Sequence, residues 1–393
     1  MLNRNSLQRR FLGYRKEGRT REFCEDFSEA LRTKQIRPSE VSIRDLAFAT
    51  ATDHDGNPMG REFIECANPD PAGRYEENLL EAVDSAAFKT ISGQLIYTAM
   101  MEEYELYMAP IEGLYTNTPT KFNGERIPGV TGIGDQAEEI REGDEYPSVQ
   151  VGEDWVDTPE TVKRGLKVLV TKEALFFDRT NLILDRCSKV GQWLGLNKAK
   201  RIIDLALGVT NTYKWKDTAY DTYQTTTPWV NINTSNGLSD WSDIDDALQM
   251  FWAITDPSTG EPITINPTQI IVNTSKRATA NYILNATHVK IGADTASNQM
   301  QVENAHMVPG QYEVISSPII DARYTAGSVT ATTWHFGDFR KAFSYMENWP
   351  VAVEQMPSNS YEEWNRDIMA GYKAGERGVA AVKDPRYAQR NTA

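Results

Sequence analysis

The chain has 393 residues, 40% hydrophobic and 24% charged, with 26 Gly and 18 Pro spread through it. That composition suits one large globular domain or two to three ordinary ones, and excludes a collagenous or wholly disordered chain. A net charge of −14 excludes a general basic coat for nucleic acid, and no apolar run approaches the ~18 residues of a membrane-spanning helix.

Charge is laid unevenly. From Met1 to Arg21 seven basic residues, Arg9 and Arg10 among them, face the single acid Glu17, a net of +6 that leaves −20 for the remainder. Leu2, Leu7, Phe11, Leu12 and Tyr14 are interleaved with these cations. Apolar anchors beside arginines point to an intersubunit tether. A phosphate-binding arm, a transit peptide and a solvated tail are the competing readings. Because the chain begins at Met1 with this arm, the expectation is an uncleaved start.

Asp53–Pro58 reads as a hairpin turn, since Gly56 takes the fourth position of the run and not the sixth that a calcium loop requires. From about Leu79 to Met108, Leu80, Val83, Phe88, Ile91, Leu95 and Ala99 recur at three- and four-residue steps. That spacing predicts an amphipathic helix stopped by Pro110.

The stretch from about Thr116 to Val170 opens with Asn123-Gly124, Pro128 and three glycines between Gly129 and Gly134, a turning loop without the Lys-Ser/Thr of a phosphate cradle. Asp135 to Glu160 then holds ten carboxylates, including Glu138, Glu139, Glu142, Asp144 and Glu145, against Arg141 alone, a net of −9. Leu166–Thr171 is β-like. A two-stranded excursion with so acidic a limb cannot bury a core, so it is expected to lean on another subunit.

A helix is expected from Asp178 or Thr180 to Leu207, capped by Asp178 and ended by Gly208. Ile183, Cys187, Val190, Leu194, Ile202 and Leu205 form its apolar stripe. Arg186, Lys189, Lys198, Lys200 and Arg201, set against Asp185 and Asp204, make the other face basic. At ~1.5 Å per residue it is about 40 Å long, a structural spine. Gly191 and Gly195 inside it point to a bend or a close neighbour.

Further on, Thr210–Leu238 is polar, aromatic and Thr-rich, suiting a surface loop or short strands. Ser242–Ile254 is expected as a helix with Ile244, Leu248, Phe251 and Trp252 inward, Pro267–Asn273 as a buried strand, and Ser275–Leu284 as a helix. Strand patterns follow at Trp334–Gly337, Phe343–Met346, Val351–Met356 and Ile368–Val382. The β–α alternation gives an α+β class.

Chemistry is sparse. Cys24, Cys66 and Cys187 are odd in number and far apart, so they read as thiols and not as a disulfide framework. His288, His306 and His335 lie on apolar or strand-like stretches that suit structural imidazoles. Neither a nucleophile–base motif nor a metal motif is present. No catalytic residue, cofactor or metal is assigned, and the chain does not argue for an enzyme.

The order of parts does resemble a known family. Glu142-Gly-Asp-Glu-Tyr-Pro147 is followed by Lys163-Arg-Gly-Leu-Lys-Val-Leu-Val-Thr-Lys-Glu-Ala174, then by Asp178 and the long helix. Trp334-His-Phe-Gly-Asp-Phe339 and Lys341-Ala-Phe-Ser-Tyr345 come next, then the strand Gly371–Val382 and Asp384-Pro-Arg-Tyr-Ala388. From about Asp135 to Ala388 this resembles the major capsid protein of tailed bacteriophages, with the Hong Kong phage-type capsid fold. The resemblance implies an N-terminal arm with a helix (1–115), an extended E-loop (116–170) and the spine helix of a P-domain (171–209). It further implies an A-domain (210–328), then P-domain strands and a C-terminal return to the A-domain (329–393).

It also implies a subunit that assembles with itself through pentamers and hexamers into an icosahedral shell around double-stranded DNA, without sequence-specific binding and without a membrane. A separate scaffold protein, a portal and decoration proteins are the implied partners. The virion is the implied location, with assembly in the host cytoplasm. Ile183, Val190 and Leu194 are then P-domain core candidates. Contacts between copies are expected from Arg9, Arg10 and Phe11, from the acidic limb, and from Lys189, Lys198, Lys200 and Arg201 on the spine. By place, Lys163 and Lys167 are candidates for the covalent cross-link that some members make. An encapsulin-like shell around enzyme cargo is the alternative, and a soluble hydrolase a remote one.

Overall fold

The computed structural model describes residues 10–11, 13–14, 19–41, 46, 85–129, 139–140, 154–171, 182–256, 259–285, 288–291, 300–303, 312–356, 365–366 and 368–393. Outside them fall Arg9, Cys66, the turn at Asp53–Pro58, Leu80, Val83, Glu138, Glu142, Asp144, Glu145, the helix start at Asp178 or Thr180, and His306. Of Phe88 and His288 only the backbone is described.

In chain order come α1 (Thr20–Arg32), α2 (Ser85–Met108), β1 (Thr116–Pro119), β2 (Arg126–Pro128), β3 (Trp155–Asp157), β4 (Val162–Thr171) and α3 (Leu182–Ala206). Then follow β5 (Lys214–Trp215), β6 (Thr218–Ala219), β7 (Ile232–Asn233), α4 (Trp241–Trp252), β8 (Gln269–Ile271), α5 (Thr274–Leu284), β9 (His288–Ile291) and β10 (Met300–Glu303). Last are β11 (Glu313–Ile315), α6 (Pro318–Ala326), β12 (Trp334–Gly337), α7 (Phe339–Ala342), β13 (Phe343–Gln355), β14 (Ile368–Val382) and β15 (Ala388–Asn391). The class is α+β, as expected. Two compact units result: Met1–Tyr107 with Arg164–Leu196 and Val351–Glu376, and Met108–Lys163 with Asn197–Pro350 and Arg377–Ala393.

In the first unit α2 buries Ile91, Leu95, Ile96, Ala99, Met100 and Tyr104, one stripe at helical spacing. The first half of α3 lies against it. A Cβ on Gly191 would sit 2.0 Å from the Met100 carbonyl oxygen, and one on Gly195 2.9 Å from that of Tyr104. The two glycines are therefore where the helix backbones meet, a close neighbour and not merely a loss of helix propensity. Ser92 on α2 and Tyr372 on β14 place their buried hydroxyls 3.0 Å apart. Helix α1, which the sequence reading did not single out, buries Phe23, Phe27 and Leu31 on one line.

The second unit is built on a five-stranded sheet in the order β11-β8-β12-β15-β7. Ile270 and Val272 from the β8 region, with Trp334 and Phe336 from β12, meet Ile244, Leu248 and Phe251 of α4 and Ala280 and Ile283 of α5 in one core. Helix α4 starts on a capping box in which Asp240 and Asp243 each accept from the other's end of the turn. Helix α5 starts on Asn273, whose Oδ1 accepts from the Ser275 N–H at 3.0 Å. The second half of α3 ends as expected at Gly208, with φ +71. There the Val209 N–H donates to the Asp204 carbonyl at 2.9 Å and the Gly208 N–H to that of Leu205 at 3.1 Å, a Schellman closure.

Four expectations are corrected. Trp252 is 59% exposed and does not point inward, because α4's buried line runs through Ile244, Leu248 and Phe251 and the next residue lies about 100° further round. Phe343–Met346 and Val351–Met356 are not separate strands but one strand, β13. Trp334–Gly337 does not join the late peripheral strands; it sits between β8 and β15, where its buried aromatics complete the core. The excursion after Thr116 does not lean only outward: β2 pairs with β3, β3 with β5 and β5 with β6, all antiparallel, so its base rests on the chain's own 214–219 hairpin.

Candidate assembly surfaces

Helix α3 was expected to present a basic face, and its cations divide into two kinds. Lys198 and Arg201 stand four and seven residues after Leu194, on the line of the apolar stripe, and so turn toward the second unit's interior. The Lys198 side chain is 6% exposed, with Nζ 3.5 Å from Glu347 Oε1 and 4.0 Å from the centroid of the Tyr345 ring. A carboxylate and a ring face together compensate the lost water. Arg201 donates from Nε to Asn197 Oδ1 at 3.1 Å, and its guanidinium lies 5.7 Å from the same Tyr345 ring. Asp204, one turn from the helix end, is held by Arg323 through Nε at 2.5 Å and Nη2 at 2.9 Å. Lys189 stays outside, paired with Asp185 at 2.8 Å across one turn. Arg186 is exposed and Lys200 half-buried.

Of the core candidates, Ile183 and Leu194 are buried and Val190 is half-buried. In the arm, Arg10 is exposed, whereas Phe11 is fully buried within its own chain, its ring edge-on to Phe23 at 5.4 Å. Tyr14 donates to Asp26 Oδ2 at 2.6 Å, so this short stretch is fastened to α1. Of the acidic limb, Glu139 is exposed, as is Ile140 beside it, whereas Asp154 accepts from Trp215 Nε1 at 2.5 Å and Asp157 pairs with Arg126 at 3.0 Å within the chain.

Large apolar side chains stand in water on each unit. Tyr97 and Leu106 on α2, Trp193 on α3, and Leu166 and Leu169 on β4 do so in the first. In the second, Phe122, Val162, Trp349 and Tyr282 do so. Among the described residues, strand β4 is the outer strand of the sheet ordered β1-β13-β14-β4. Trp349 carries two cations over its ring, Lys163 at 5.9 Å and Arg377 at 5.5 Å. A stable monomer seldom leaves so many aromatic and aliphatic groups uncovered.

Among the described residues, His335 and Cys187 are shut away. His335 is fully buried between Tyr223, whose ring centroid is 5.3 Å away, and Tyr324, whose hydroxyl is 3.3 Å from Nδ1. Burial first, then the Arg390 charge, lowers its pKa to about 3, so it is a neutral structural imidazole. Burial pushes the Cys187 thiol up to about 12, out of the range of a thiolate nucleophile. Cys24 and Cys187 are both unbridged. Among the described residues no group of His, Cys, Asp and Glu is arranged to hold a metal ion.

Residues 155–391 match the family described as phage capsid protein. The chain belongs to the phage capsid protein family. This capsid protein is therefore a structural component of the virion, and its outward-facing apolar groups are candidates for contacts between subunits. Similar solved structures include a virus-like particle from Pyrococcus furiosus, at 10% identity over 75% of this chain and 97% of that one, TM-score 0.43. The capsid of a native GTA particle computed with C5 symmetry gives 12% identity over 73% and 91%, TM-score 0.42. The capsid of cyanophage P-SCSP1u gives 10% over 72% and 87%, TM-score 0.44. At such scores the assignment rests on the family match alone. No curated protein matches the chain.

Proposed function

We propose that this capsid protein is the major head subunit of a tailed phage, assembling with itself through pentamers and hexamers into a closed icosahedral shell around double-stranded DNA. The observation that carries the reading is the family match over 155–391, together with the exposed Val162, Leu166 and Leu169 on β4. A net charge of −14 suits a container that must not grip the DNA moving through it. In this reading residues 1–115 are an arm, 116–170 an E-loop, 171–209 a spine and 210–328 an axial domain, with 329–393 completing the last two.

The acidic limb from Glu138 to Glu145 is proposed to meet basic side chains of a neighbouring copy. Lys189 and Lys200 keep that role, and Lys163 and Lys167 on β4, expected above only as cross-link candidates, are proposed to join them. Lys198 and Arg201 lose it, because they are committed to Tyr345, Glu347 and Asn197 of their own chain. Assembly takes place in the host cytoplasm, with a scaffold protein, a portal and decoration proteins as partners.

Electron cryo-microscopy of the purified protein, expressed alone and with its scaffold, tests the proposal. Closed shells with five- and six-fold rings are expected. A monodisperse monomer under both conditions overturns it, and shells enclosing enzyme cargo in place of DNA would move the protein to the compartment reading.

A further inference from the structure

A cleft of about 600 Å³ opens in the second unit between the segments around Asn211–Lys214 and Ala219–Thr226. It lies in the size range of small-ligand sites. Nothing in the shell-forming role requires it. Its walls are held in place from beneath: the fully buried Asn231 donates from Nδ2 to the carbonyls of Thr222 at 2.9 Å, Pro385 at 3.0 Å and Ala388 at 3.0 Å. The same side chain accepts at Oδ1 from the Gln224 N–H at 2.7 Å. Asn211 ties the two sides together, donating to Asp221 Oδ1 at 2.9 Å and accepting from the Thr222 N–H at 3.2 Å. A loop so pinned has little ordering cost left when a ligand enters.

The lining is mixed in a particular way. Tyr220 supplies an aromatic ring and is backed by Trp229, whose centroid is 5.4 Å away and which in turn packs on Tyr213 at 5.3 Å. Asp221, Gln224 and Thr225 supply a carboxylate, an amide and a hydroxyl. Lys214 and Asp221 offset each other in charge, so a phosphate or nucleotide meets no surplus of cations. A lipid tail would leave the carboxylate and the amide without partners. Because the three rings pack on one another, no aromatic cage is left open for a quaternary ammonium ion.

We propose that this cleft binds a neutral carbohydrate. Sugar hydroxyls both donate and accept, so they satisfy an acceptor-only carboxylate, a two-way amide and a hydroxyl at once. The C–H face of a pyranose rests on an aromatic ring. One tyrosine backed by a tryptophan, with Asp221, Gln224 and Thr225 in the same lining, meets both needs. On a virion, such a site would engage surface saccharides.

The test uses assembled particles on a glycan array, followed by saturation-transfer NMR with the methyl glycosides of glucose, galactose and N-acetylglucosamine. Binding of at least one saccharide at up to millimolar concentration is expected. Tyr220→Ala and Asp221→Ala should weaken it about tenfold or more. Thr225→Trp, a change at an exposed rim position that fills the cleft without touching the core, should abolish it while leaving the unfolding midpoint unchanged. No saccharide bound at millimolar concentration, or binding indifferent to all three substitutions, overturns the proposal. So does a particle map in which a neighbouring subunit's chain fills the cleft.

Discussion

Lys198 of the long helix and Glu347 of β13 form an ion pair, 3.5 Å apart, with side chains only 6% and 15% exposed. The Tyr345 ring closes over the ammonium at 4.0 Å. A lysine expected to face a neighbouring subunit is thus part of its own unit's interior. Removing one partner leaves a desolvated charge, so Lys198→Met is expected to destabilise the unassembled subunit by about 3 kcal/mol. Lys198→Met with Glu347→Leu should recover most of that loss. Urea unfolding of the three proteins checks it, and equal midpoints for wild type and the single variant would place Lys198 in solvent.

Gly191→Ala sets two effects against each other. Alanine gains about 1 kcal/mol in helix propensity over glycine. Its Cβ, however, would stand 2.0 Å from the Met100 carbonyl oxygen, a backbone atom that moves only if α2 and α3 separate. Overpacking of this kind costs about 1–3 kcal/mol, so a net loss is expected. A raised melting temperature for Gly191→Ala would contradict the close helix contact.

His335 ties stability to pH. Its folded-state pKa is lowered to about 3 from an ordinary 6.5, so below pH 6.5 the unfolded chain takes up a proton that the folded one refuses. The stabilisation is complete above pH 6.5 and is lost progressively as pH falls toward 3. Between pH 7 and pH 5 this group alone should remove about 2 kcal/mol. The difference in urea-derived stability between those two pH values should shrink by about that amount in His335→Phe. An unchanged difference would mean that the imidazole reaches solvent.

Electrostatic docking of the acidic limb on a neighbour's basic side chains is expected to slow as salt rises past ~0.1 M, where the screening length falls to about 10 Å. Lys163→Glu with Lys167→Glu should slow assembly further at low salt and lose most of its salt dependence. Light-scattering time courses measure both. Salt-independent assembly of the wild type would remove charge from the docking step.

The arm offers a last test. Phe11 is buried against Phe23 of α1 and Tyr14 is bonded to Asp26, so its described end belongs to its own subunit. Deleting residues 2–9, which spares these contacts, should leave the subunit's melting temperature unchanged and yield rings without stable closed shells. Normal shells with altered DNA content would make the segment a DNA contact instead of a tether.

What could be read from the sequence was whatever depends on spacing along a short stretch. Ile183, Leu194, Ile202 and Leu205 mark the buried stripe of α3 because helical period alone brings them to one face. Gly208 ends that helix because only its backbone adopts the left-handed turn without strain. Ile270 and Ile271 announce a buried strand by an apolar run. Helix α1 carried the same kind of signal in Phe23, Phe27 and Leu31, but the acids and bases between them hid it. The tertiary structure decided the rest. Lys198 and Arg201 share the apolar stripe's line, yet only the arrival of Tyr345 and Glu347, about 150 residues away, makes that position habitable for a cation. Trp334–Gly337 reads as a strand anywhere, and only β8 and β15 on either side make it central. Each of these turns on partners distant in the chain, and a local pattern holds no information about which partner will arrive.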